Sequence, residues 1–95
     1  MTTTTHTSPR EAAIAKMKAR ASTQSTALLC EAVVMLASLP RTQETCLTHA
    51  VMTDVLCERH PEAEAAAEAW AEDENADPAG YDAAVIGAAL TAIGA

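Results

Sequence analysis

Aromatic residues are almost missing from the chain: there is no phenylalanine, one tryptophan (Trp70) and one tyrosine (Tyr81) in 95 residues. Without aromatic bulk a thick sheet core has little to fill it, so Ala, Leu, Val, Ile and Met must form the interior. Alanine alone supplies 23 positions, which suits close contact between helices. No stretch alternates with the period of two expected of a strand, and no segment repeats. The expected fold class is therefore all-α, a small four- to five-helix bundle in which a homodimer is one available form. At this length a chain buries only roughly 60 to 65% of its unfolded surface, so partner chains would help it.

Long hydrophobic runs are missing too. The longest, Ala27 to Leu39 and Ala83 to Ala95, are 13 residues each, against about 20 needed to cross a bilayer, so no membrane passage is expected. No secretory n-region and h-region pattern is read ahead of the three cysteines, Cys30, Cys46 and Cys57, so no secretory leader is expected. An odd number of thiols on helical segments fits a reducing, cytoplasmic location. The chain also lacks a Ser-His-Asp order, a Gly-rich phosphate loop and an H-E-x-x-H pair, so no enzyme activity, cofactor or small-molecule substrate is expected.

Basic charge is scarce after residue 41. Residues 1–41 hold five basic side chains against Glu11 and Glu31, a net of +3, whereas residues 42–95 hold Arg59 alone against eleven acids, a net of −10. The two halves should attract each other, within one chain or between two, while the molecule at −7 repels phosphate backbones and argues against nucleic acid as partner. The abundant alanine fits a GC-rich genome, bacterial or phage.

What is present is a series of helix signals. Residues 1–8 read as a disordered polar tail carrying His6, and 9–95 as one helical domain. Ser8, Pro9 and Glu11 form a capping box, and Ile14, Met17, Ala21, Leu28, Val33, Leu36 and Leu39 keep helical spacing. One bent helix from Pro9 to Leu39 is expected, with a weak place at Ser22 to Thr26 where Ser22 or Ser25 could cap a second. Ten of the thirteen residues from Ala27 to Leu39 are hydrocarbon or thioether and occupy nearly every helical angle. That segment is expected to be the core, covered on most sides. Gln24, Glu31 and Ser38, seven residues apart, should form its narrow wet stripe, which argues against Glu31 as a buried acid or base.

Pro40 ends that segment and Thr42 caps the next, Gln43 to Arg59, which should bury Leu47, Val51, Val55 and Leu56. His60-Pro61 breaks the chain before an Ala/Glu helix, Glu62 to Glu74. There Glu64, Glu68 and Glu72 share one face, and Ala63, Ala66, Ala67 and Trp70 the other. Asp77 and Pro78 should open a last helix that buries Val85, Ile86, Leu90 and Ile93 and stops at Gly94.

Four features could carry function. Cys46-x-x-His49 and Cys57-x-x-His60 lie about 16 Å apart along one helix face, too far to share a zinc within a chain; only an antiparallel dimer could complete two sites. No metal is expected. The Ala/Glu helix is the candidate element for a protein partner, through the acidic face Glu64, Glu68 and Glu72 and through Trp70 on its other face, and Lys16 and Arg20 form a basic stripe for a dimer contact. Leu36 to Met52 has the outline of a helix-turn-helix, with Arg41 and Gln43 among the residues that would touch DNA, though a recognition helix needs more basic support than this. The leading expectation is a small acidic, non-enzymatic protein-interaction or regulatory protein acting through helical surfaces. The alternatives are a helix-turn-helix-like DNA-binding regulator and an acidic inhibitor, of the kind a phage could encode, that occupies a nucleic-acid-binding protein.

Overall fold

A computed structural model of the chain describes residues 8–95. The expectations for Met1 to Thr7, His6 included, lie outside the described residues. Those residues form α1 (Pro9–Ala21), α2 (Thr26–Ala37), α3 (Gln43–Arg59), α4 (Pro61–Glu72) and α5 (Tyr81–Ala92), with a 3-10 turn at Pro78–Gly80 and no strand. The fold is all-α.

The helix ends follow local chemistry. Ser8 accepts from the amide of Glu11 at 3.1 Å, with Pro9 harmless at the first helical position. Thr42 accepts from the Thr45 amide at 3.1 Å, and the Thr45 hydroxyl bonds back to the Thr42 amide at 2.9 Å. This reciprocal box starts α3, which ends against Pro61. At the end of α5, Gly94 adopts φ 77, the Ala95 amide donates to the Leu90 carbonyl and the Gly94 amide to that of Thr91, closing a Schellman turn.

The core sits around α3. Leu29 and Val33 of α2, Leu56 of α3 and Val85 of α5 are fully buried. Ala63 and Ala89 are sealed as well. Residues this small let α4 and α5 approach each other and α3 closely. The core is therefore thin: two leucines are its largest fully enclosed side chains.

Three expectations are corrected. The first is the single helix from Pro9 to Leu39, which is two helices. Ser25 takes the cap, accepting from the Leu28 amide at 3.2 Å. Across the fold, the Arg59 guanidinium donates to the carbonyls of Gln24 at 2.7 Å and Ser22 at 3.0 Å. Carbonyls freed by a helix break need donors, and a charged fork supplies two. The second correction concerns Ala27 to Leu39. Only Leu29, Cys30 and Val33 of that stretch are buried, while Leu28, Val34 and Met35 are 52%, 60% and 61% exposed. The chain has one layer of helices to set against α2, and α3 and α5 cover a single face of it. The third is at α5: Pro78 opens the 3-10 turn rather than the α-helix, and Ile93, beyond the last α-helical turn, is exposed.

Candidate functional site

A groove of about 1170 Å³ is bounded by α1, α2 and α3. Its origin is the break just described. Both α1 and α2 pack on α3 and meet at the Ser22 to Ser25 turn, so the two helices leave an open space between them. Apolar side chains line it: Met17 from α1, Leu28, Ala32 and Met35 from α2, and Leu47 and Met52 from α3. Three thioethers in one groove give it an adjustable surface, since unbranched Met repacks readily against different shapes.

The exposed side of α2 has an order of its own. Leu28, Ala32 and Met35, continued by Leu39 just past the helix end, are spaced four, three and four residues apart. At 100 degrees per residue they fall within about 60 degrees of arc, the seam of a helix that packs on another helix. Glu31 stands beside the seam with Gln24 and Ser38, all three exposed as their seven-residue spacing implied. Val34 lies about a third of a turn away and outside the groove.

The rim is charged with both signs. Arg10 and Arg20 stand on the α1 side, and Glu31 and Glu44 on α2 and α3. All four are exposed. Lys18, by contrast, is paired within the chain: its ammonium bonds Glu58 of α3 at 2.5 Å, and that bond raises its pKa above 10.5. This is the one ion pair between lysine or arginine and a carboxylate among the described residues, so the attraction between the basic and acidic halves is realised at a single point.

A second hollow of about 650 Å³ lies between the start of α3 and the start of α5. His49 places Nε2 2.8 Å from the Asp82 carboxylate there, both side chains about a quarter exposed, with Cys46 and Arg41 beside them. Among the described residues no three His, Cys, Asp or Glu side chains gather as metal ligands. His49 is engaged by Asp82, and His60 bonds the Thr26 hydroxyl at 2.7 Å, so each C-x-x-H histidine has an intramolecular partner. Burial pushes the Cys30 thiol above its usual range; burial first, then Asp54, Glu64 and Glu58, does so for Cys57.

The residues singled out in the sequence are dispersed. Glu64, Glu68 and Glu72 project from α4, exposed. Trp70 turns inward: its indole donates to the Asp77 carbonyl at 2.9 Å and its ring meets Tyr81 edge-on at 5.2 Å, pinning the turn between α4 and α5. Lys16 is exposed on α1, Arg20 and Gln43 line the large groove, and Arg41 lines the smaller one. In the α2–α3 hairpin Thr45 is consumed by the cap and His49 by Asp82, which leaves few free side chains for base edges beside Glu44. The groove itself escaped the sequence reading, although its signal was present: α2 carries more apolar surface than one buried face can use.

Compared with family models, with curated proteins and with solved structures, the chain matches none.

Proposed function

We propose that this protein is a small, non-enzymatic interaction module that works by receiving one amphipathic helix of a protein partner in the groove between α1, α2 and α3. The observation that carries this reading is the uncovered seam of α2, with Leu28 and Met35 more than half exposed over an apolar hollow. Contiguous apolar surface of this kind marks interaction sites on small folded domains. Size fits as well. A helix of four turns, about 21 Å long and 10 to 12 Å across, displaces roughly 800 to 1200 Å³ when sunk to half its diameter. The helix-in-groove mode reads such a partner by anchors at i, i+3 or i+4, and i+7.

The same reading makes the acidic face of α4 a solvated surface that keeps the molecules apart except at the groove. Three free thiols suit work in the reducing cytoplasm. No helix among the described residues is long and apolar enough to cross a membrane.

A photo-crosslinking amino acid placed at position 35, and at position 68 as a control, tests the proposal in the native host. Position 35 should yield an adduct with a polypeptide, whether a copy of this chain or another protein, and position 68 should not. No polypeptide adduct from position 35 would refute the groove as a docking site.

A further inference from the structure

We infer that the helix filling this groove is α2 of a second copy of the chain, each copy inserting its seam into the groove of the other. The inference rests on the groove being a docking site and names its occupant. Four observations converge on it.

The first is supply. A groove floored by Leu28, Ala32 and Met35 calls for a helix with an exposed apolar seam of comparable length. Of the five large hydrophobic side chains left exposed in the described chain, four are on α2 or its end: Leu28, Val34, Met35 and Leu39. Among the described residues no other helix leaves a run of large apolar side chains exposed; α4 turns Ala63, Ala66, Ala67 and Trp70 toward the fold and shows glutamates and small alanines outside.

The second is fit. Twelve residues of α2 and thirteen of α1 make helices of about 18 and 20 Å, so one α2 matches the length of the wall it would lie against. Ala32, at the middle of the seam, lets two helix axes approach closely, as small central residues do in packed pairs.

Charge is the third. The chain carries −7, so two copies repel over most of their surface. Around the groove the balance differs: Arg10 and Arg20 stand with Glu31 and Glu44, two of each sign. A two-fold pair joined there brings together neutral, mixed-sign surfaces, whereas a uniformly acidic or basic foreign helix would meet a like charge on one side.

The last is need. A core whose largest fully buried side chains are two leucines and two valines is small for a domain of this length. Burying the α2 seams against each other supplies hydrophobic area that the single chain lacks.

Light scattering on the full chain across protein concentration decides the matter. The wild type should show twice the 9.9 kDa chain mass. Met35→Glu, at a side chain 61% exposed in the single chain, should keep its helical circular dichroism and raise the dimer dissociation constant at least a hundredfold. Val34→Glu, equally exposed but off the seam, should leave the dimer intact and guards against a general effect of added charge. Arg10→Glu with Arg20→Glu makes an acidic rim, and Glu31→Arg with Glu44→Arg a basic one. Each variant alone should dissociate at least tenfold more readily than the wild type, and an equimolar mixture should form a heterodimer. A 9.9 kDa wild type at every concentration, or a dimer indifferent to Met35→Glu, overturns the inference. A monomer that still crosslinks from position 35 to a different protein overturns the second copy as occupant while leaving the docking groove in place; no adduct at all removes both.

Discussion

At the scale of single residues, the most telling side chain is Arg59. It is the only lysine or arginine after position 41, and it serves as a structural strut, donating to two carbonyls in the turn between α1 and α2 and lying 3.4 Å from the Thr26 hydroxyl. Hydrogen bonds from a charged donor contribute about 1.5 to 3 kcal/mol each when well protected, less where water reaches them. Arg59→Ala should therefore cost about 1 to 2 kcal/mol in urea unfolding, and Arg59→Lys should recover little, because an ammonium cannot span both acceptors as a fork does. Gly87 offers the opposite test. A Cβ built there meets nothing within 4 Å, so no neighbouring backbone explains the glycine inside α5. Gly87→Ala should stabilise the protein by about 0.5 to 1 kcal/mol, seen as a raised melting temperature.

Four titratable side chains lean the same way. Cys30 and Cys57 are raised from 9.0 and Tyr81 from 10.0, chiefly by burial, and Lys18 from 10.5, chiefly by its bond to Glu58. In each case the folded state holds its proton more tightly than the unfolded chain. Stability is then full below the unfolded values and falls as pH rises through the folded ones. Urea midpoints should drop from about pH 9 upward; a midpoint that rises over that interval would show the signs to be wrong.

At the scale of elements, the legible parts were those decided by neighbours in sequence. α3 runs from Gln43 to Arg59 as its threonine cap and following proline dictate, and α4 turns Ala63, Ala66, Ala67 and Trp70 inward and its glutamates outward. Gly94 stops α5 because a left-handed residue there lets two amides close on the helix end. The missed parts depend on distant groups. Helical spacing continues through Ser22 to Thr26, and the break there is held by Arg59 from the far end of α3, thirty-odd residues away in sequence. The His49–Asp82 pair likewise joins two helices that no spacing rule connects. The density of apolar residues on α2 predicts enclosure, but hydrophobicity records how much surface must be covered and does not say by which molecule. Whether the cover comes from the same chain is set by how many helices remain to pack, and here α3 and α5 reach only one face.

At the scale of the whole molecule, the break between α1 and α2 is what opens the groove that we propose receives a helix. Had the two been one rod, Leu28, Met35 and Met17 would not bound a common hollow. In the proposed pair the acidic remainder, at −10 over residues 42–95, opposes contact away from that mixed-sign rim. Methionine oxidation in the full-length protein reads the state of this face directly, because a thioether exposed to peroxide or hydroxyl radical is oxidised and one sealed between helices is protected. The account predicts that Met35, open in the single chain, is protected at concentrations where the groove is filled and loses that protection on dilution. Oxidation of Met35 at the rate of a free, solvated methionine at every concentration, in the cell as in the purified protein, would contradict it.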